Sequence, residues 1–234
     1  LGYNFKIQRF KGDRTYEENF TIDKKFITLL EALIYIRENL DSSVGFDFNC
    51  KSGICGACAI RVDEKEKLAC KFKLEDKKSY SLKPLKYYKV QRDLRVAKDK
   101  NYSILKESKA FLISYKNEIL NSEDEKLNKI QSDCILCGSC FSSCPVLEVN
   151  QNFKGPFALT RVYRYIIDKR EASNQSLEII QKDGIWDCTL CGECTLVCPQ
   201  GIDPKSDILN LRSKSLQAGF SDPNFMNMNF GFSF

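Results

Sequence analysis

The sequence contains no histidine and a single tryptophan, Trp186. Without an imidazole, no metal centre or proton-transfer mechanism in this chain can use one. Long apolar runs are missing too. The best candidate, residues 26–36, is short and carries Glu31, whereas spanning a bilayer takes roughly 18–20 apolar residues. No secretory signal is legible at the N-terminus, and a chain that opens on Leu1 reads as trimmed by a few residues. Charge is not of one sign. The net value is +5, but acidic and basic residues are interspersed, which describes a solvated surface better than a nucleic-acid footprint.

Cysteine is what the chain has in excess. Twelve occur among 234 residues, and they fall into three groups of four. Cys50, Cys55, Cys58 and Cys70 form the first, Cys134, Cys137, Cys140 and Cys144 the second, and Cys188, Cys191, Cys194 and Cys198 the third. A disulfide scaffold fits poorly, because such scaffolds are shorter and denser in cysteine. Paired CxxC units often bind zinc, but zinc sites seldom pack four cysteines into so short a run with a proline after the last. Iron–sulfur ligation fits best.

The first group reads C-x4-C-x2-C with Cys70 following from a separate segment, the plant-type [2Fe–2S] spacing. In "FNCKSGICGACAIRV", Gly53 and Gly56 allow backbone angles that a side chain would forbid. Such a loop can aim N–H groups at the cluster sulfurs, which stabilises the reduced state and raises the potential. Cys70, in "KLACKF", is expected on the second strand of a hairpin.

The second and third groups, "CILCGSCFSSCP" and "CTLCGECTLVCP", both read C-x2-C-x2-C-x3-C-P. In two-cluster ferredoxins the fourth cysteine of each run ligates the other cluster. Cys134, Cys137, Cys140 and Cys198 are therefore expected to hold one [4Fe–4S] cluster. Cys144, Cys188, Cys191 and Cys194 are expected to hold a second, with two self-contained clusters as the alternative. Pro145 and Pro199 interrupt helical hydrogen bonding after each run, and Gly138 and Gly192 leave room near the inorganic core.

Around these groups the first hundred residues alternate in a β-like way. Tyr3–Phe10 puts Tyr3, Phe5, Ile7 and Arg9 on one face, and "ENFTI" reads as a partner strand. "TLLEALIYIREN" has helical spacing, with Leu29, Leu30, Ala32, Leu33 and Ile36 on the apolar face. The rest reads as helical. Pro156 suits the first turn of a helix whose apolar positions are Leu159, Val162, Tyr163, Ile166 and Ile167, and Asp203–Pro204 suits the start of a last helix toward Gln217. The expected domains are 1–98 around the [2Fe–2S] loop, 99–220 as a helical domain with two ferredoxin-type clusters, and an apolar tail, 221–234. The tail has no clear period and suits a disordered end or a strap that docks on a partner.

The ordered set of one [2Fe–2S] loop and two ferredoxin runs resembles the iron–sulfur subunit of succinate dehydrogenases and fumarate reductases. "CKSGICGACAIRV" resembles that family's first-cluster loop, "LKPL" with "RDLRV" its closing strand, and "GPFALTRVYRYIIDKR" the helix between its two cysteine runs. The resemblance implies an α+β fold: an N-terminal plant-type ferredoxin β-grasp domain, then an all-α bacterial-ferredoxin-like domain. It also implies an electron relay, without catalytic residues of its own, between an FAD-containing flavoprotein subunit, where succinate and fumarate interconvert, and a quinone-side subunit. Nothing in the chain suggests a general acid or base.

Three departures from the family pattern matter. Many members carry a non-cysteine residue at the position of Cys191 and hold [3Fe–4S] there; Cys191 predicts [4Fe–4S], with [3Fe–4S] as the alternative. The tryptophans usual after the second run are absent from "VLEVNQNF". Thr189 stands where a histidine is usual. Those last two features help form the usual quinone site, so the pattern is closest to the branch in which a cysteine-rich subunit replaces the usual membrane anchor, as in methylmenaquinol:fumarate reductases. Some of that branch are exported folded, so a peripheral position on the cytoplasmic face is the default and the periplasmic face the alternative. A free multi-cluster carrier and a subunit of a thiol-linked fumarate reductase are the competing functions.

Overall fold

Alternation builds the first sheet. Strand β1 (Tyr3–Lys11) buries Tyr3, Phe5, Ile7 and Arg9, the set that a two-residue period puts on one face. It pairs antiparallel with β2 (Arg14–Ile22), from Tyr3 opposite Ile22 to Lys11 opposite Arg14. Helix α1 (Leu29–Asn39) follows. Thr28 caps it: its hydroxyl accepts from Glu31 N, and the Glu31 carboxylate accepts from Thr28 N, a reciprocal capping box. Its buried residues are Leu29, Leu30, Ala32, Leu33 and Ile36, the apolar face read from the sequence.

Strands β3 (Ala59–Val62) and β4 (Lys65–Leu68) form a hairpin, and β5 (Ser79–Lys83) completes a mixed sheet of order β2-β1-β5-β3-β4. β5 runs parallel to β1 and antiparallel to β3. Tyr80 stacks on Phe5 at 5.8 Å and meets Phe72 edge-on at 5.6 Å. Arg9, charged yet on the inward face, is satisfied there by Glu18, by Asp41 at 2.8 Å, by Ser43 at 2.6 Å and by Asp93 at 3.2 Å. Asp93 in turn accepts from Phe10 N and Gly45 N. Hydrogen bonds from Ser43, then from Arg9, hold the Asp41 carboxyl down at about 2.

One expectation is corrected here. Cys70 lies beyond the end of β4, in the turn that closes with Lys71 N and Phe72 N donating to Leu68 O. The "RDLRV" segment, likened above to a closing strand, lies apart from the main sheet. It forms β6 (Val90–Arg92) and β7 (Arg95–Val96), a separate two-stranded ladder turned by Asp93 at φ 50°, with Asp93 held by the bonds just described.

The chain then becomes helical: α2 (Asp99–Glu107), α3 (Ser122–Ser132), α4 (Ser139–Ser142), α5 (Val146–Val149), α6 (Pro156–Ile166), α7 (Gln175–Ile179), α8 (Glu193–Leu196) and α9 (Pro204–Gln217). Pro156 occupies the first turn of α6. Asp203 caps α9 through Ser206 N, with Pro204 next. The apolar face of α6 differs from the sequence reading. Pro156, Phe157, Ala158, Leu159, Thr160 and Val162 are buried, while Tyr163, Ile166 and Ile167 are half-buried. α6 packs against α3, α7 and α9, so burial surrounds its first two turns instead of following one stripe.

The computed structural model describes residues 2–75 and 78–223, without the side chain of Asn128. From residue 224 the apolar tail lies outside the described residues. Two compact units are formed. The first combines 1–101 with 135–143 and 196–200, and the second combines 102–134, 144–195 and 201–234. No helix among the described residues is long and apolar enough to cross a membrane.

Candidate metal centres

In the first unit, Cys50 and Cys55 are half-buried and Cys58 and Cys70 are buried. Lys51 (φ 56°) and Gly53 (φ 83°) are both left-handed, which turns successive N–H groups to one side. Ser52 N, Ile54 N and Cys55 N donate to Cys50 Sγ at 3.4, 3.4 and 3.3 Å. Backbone nests of this kind suit the anionic sulfurs of iron–sulfur sites. The donors from Ser52, then Ile54 and Cys55, pull the Cys50 thiol down to about 5. Burial pushes Cys58 up to about 12, with Cys70 and Cys55 adjoining it. The loop thus brings the members of the first group together, and all supply sulfur.

The two repeated runs share a backbone device. Leu136 and Leu190 stand at φ 51° and 57°, and Gly138 and Gly192 at 87° and 86°. Leucine is rare in this region, and it occurs at the same place in both runs. Leu190 N donates to Cys188 Sγ at 3.4 Å.

In the first unit the turn of the second run is held from outside. Tyr88 OH donates to Asn101 Oδ1 at 2.7 Å, and Asn101 Nδ2 donates to Leu136 O at 3.2 Å. Burial pushes the Tyr88 hydroxyl above its ordinary value. A Cβ on Gly138 would fall 2.8 Å from Tyr88 OH, so only glycine fits beneath the ring. Cys137 is buried, and Cys140 and Cys198 are half-buried.

In the second unit, buried Cys144 adjoins Cys188 and Cys191, and buried Cys194 adjoins Cys188, Cys144 and Cys191. Burial drives Cys144 up to about 11 and Cys194 up to about 12. Cys191 is exposed. Arg212 of α9 fixes the approach to this group, donating to Ile185 O, Trp186 O and Cys188 O at 2.9, 3.4 and 2.6 Å. Arg161 of α6 donates to the carbonyl of half-buried Cys134 at 2.7 Å.

Among the described residues no cysteine forms a disulfide, and no three acidic or cysteine side chains converge on a single metal ion. The first group fits an iron–sulfur cluster in donor chemistry, nest geometry and grouping, and Cys144, Cys188, Cys191 and Cys194 fit one in donor chemistry and grouping. Sequence reasoning missed Tyr88, Asn101, Lys98, Arg161 and Arg212. Their partners lie far along the chain, so no local signal marks them.

Comparison with known proteins agrees. Residues 4–103 match the family described as a 2Fe-2S iron–sulfur cluster binding domain, and residues 130–202 the 4Fe-4S dicluster domain. The chain is 34% identical to the fumarate reductase iron–sulfur subunit of Haemophilus influenzae, over 89% of this chain and 88% of that protein. It is 33% identical to the 8-methylmenaquinol:fumarate reductase iron–sulfur subunit of Wolinella succinogenes, over 93% of this chain and 74% of that protein. In fold it matches a chain of the Mycobacterium smegmatis Sdh1 complex in the apo form, with a TM-score of 0.84 at 18% identity, covering 94% of this chain and 98% of that one. The repeated thiol runs, the sheet-borne cysteine loop and these relatives have one meaning: the chain belongs to the iron–sulfur subunit family of fumarate reductases and succinate dehydrogenases.

Proposed function

We propose that this chain is the electron-transfer subunit of a quinone-linked succinate/fumarate oxidoreductase, a relay without catalytic residues between an FAD-containing flavoprotein subunit and a quinone-side subunit. Its domains are 1–98, 99–220 and the tail 221–234. One [2Fe–2S] cluster is assigned to Cys50, Cys55, Cys58 and Cys70. One [4Fe–4S] cluster is assigned to Cys134, Cys137, Cys140 and Cys198, and this assignment rests on spacing. A second [4Fe–4S] cluster is assigned to Cys144, Cys188, Cys191 and Cys194, supported by the adjacency of Cys144 to members of the third run. Such clusters, when bound, accept and release single electrons. The polypeptide contributes thiolates, N–H donors and close packing between sites.

The observation that carries the reading is the approach of Gly56 to Cys137. A Cβ on Gly56 would lie 2.9 Å from Cys137 Cα and Cβ, so the first loop and the turn of the second run meet backbone to backbone. Ile54, beside Cys55, is 69% exposed, which suits a loop tip that meets a redox partner. A peripheral position on the membrane follows from such a complex, on the cytoplasmic face by default. The test is anaerobic purification with the encoded flavoprotein. A stable complex with stoichiometric iron and acid-labile sulfide, coupling fumarate reduction to a quinol, supports the relay. A chain that isolates alone and exchanges electrons with soluble proteins is a free carrier, and coupling to thiols in place of quinols marks the thiol-linked enzyme.

A further inference from the structure

Lys98 immediately precedes α2 and belongs to none of the cysteine groups. It is half-buried, and its ammonium donates to the carbonyl of Gly56 at 2.8 Å. That carbonyl sits next to Cys55, on the residue whose backbone abuts Cys137. The charged or ionisable groups acting on the ammonium are Cys137, Asp47, Cys58 and Cys55. Asp47, the carboxylate among them, is also engaged by Arg95 at 3.1 Å. Burial lowers the Lys98 pKa, and these four groups offset that only in part. The lysine therefore faces cysteines of two different groups at the point where their loops touch.

We propose that Lys98 is an electrostatic bridge between the first two centres, a positioning residue whose charge raises the reduction potential of both. The inference rests on the cluster assignments proposed above. Each reduction adds one electron and makes the centre more negative. A fixed positive charge nearby in a partly desolvated site favours that state, and the effect is stronger than it would be in water. The electron enters and leaves through the redox partners, and the bridging role belongs to the charged form of Lys98. A lysine serving only to satisfy Gly56 O would be replaceable by any donor of similar length. That difference separates a charge from a tether.

The experiment is an EPR-monitored redox titration of the anaerobic complex carrying Lys98→Gln, Lys98→Met or Lys98→Arg. Iron, sulfide and cluster signals of the unmodified complex are checked first. Their absence refutes the relay reading itself. With signals intact, Lys98→Gln and Lys98→Met are expected to disfavour reduction of the first two centres about tenfold, or about 59 mV for one electron. Lys98→Arg is expected to stay near the unmodified value, and the Cys144/Cys188/Cys191/Cys194 centre to stay unmoved in all three. Equal potentials in the glutamine and arginine variants, or an equal shift of every centre, overturn the proposal. Loss of the first cluster from both neutral variants overturns it as well, because the lysine would then be a structural tether.

Discussion

Arg212 donates to the carbonyl of Cys188 at 2.6 Å, and the same guanidinium lies 5.4 Å from the centre of the Trp186 ring. One side chain of α9 thereby gathers the carbonyls of Ile185, Trp186 and Cys188 in the segment entering the third run. Replacing it with methionine removes charge-assisted bonds, each contributing about 1.5–3 kcal/mol. Arg212→Met is expected to lower the thermal midpoint of the anaerobic protein and to speed chelator-driven loss of iron severalfold. Arg212→Lys is expected to restore only part of this, since a point charge cannot span a fork of acceptors. Chelation time courses on the three proteins provide the check.

Gly56 is both left-handed, at φ 69°, and pressed against Cys137. An alanine there meets two penalties. The backbone conformation alone costs about 1–2 kcal/mol, and the new methyl overlaps main-chain atoms that cannot swing aside. Gly56→Ala is expected to reduce [2Fe–2S] content and thermal stability together. Gly12→Ala, at φ 61° with open space around it, is expected to show only the smaller backbone penalty. Sulfide content and melting curves of the pair distinguish the two contributions.

Asp207 is 3% exposed on α9 and accepts a hydrogen bond from Gln131 at 2.9 Å. Burial lifts its carboxyl from 3.8 to about 6, against the Gln131 bond. The folded state therefore holds this proton more tightly than the unfolded chain does. Its contribution is complete below about pH 4 and is lost as pH rises through 6. Asp207→Asn is expected to remove that dependence and to stabilise the protein at pH 7 by roughly 2–3 kcal/mol. Unfolding of both proteins at pH 5 and pH 7 tests this. The gap between them must be larger at pH 7.

Cys191 is the exposed member of its group. With the second [4Fe–4S] cluster assigned there, Cys191→Ala is expected to leave three thiolates and convert the centre to [3Fe–4S]. That form has an EPR signal in the oxidised state. The signal is expected to be strong in the variant and absent from anaerobically prepared unmodified protein. Its equal presence in both would remove the special role of this thiol.

Local physics carried the sequence reading as far as local physics reaches. The inward set of β1, the apolar face of α1 and the Asp203–Pro204 start of α9 depend on periodicity or on immediate neighbours, and all are legible in the chain. Arg9 was placed inward by alternation alone. Most of its partners, Asp41, Ser43 and Asp93, lie too far along the sequence to be seen. Leu136 and Leu190 were not legible as left-handed, because leucine gives no such signal and only the repeat puts both in equivalent positions. The turn at Cys70 and the detached β6–β7 ladder depend on where strands stop, which hydrogen bonding with distant segments decides. Burial on several sides of α6 likewise comes from neighbours that no helical stripe announces.

Cys144 lies beside cysteines found much later in the chain, and α5, α6 and α7 occupy the interval. A group bound there closes a loop of about 45 residues, a constraint of roughly 4 kcal/mol by the chain-entropy treatment of cross-links. Conduction and cohesion then fail together. A chain that loses a group bound there loses this fastening of its middle segment along with its redox centre.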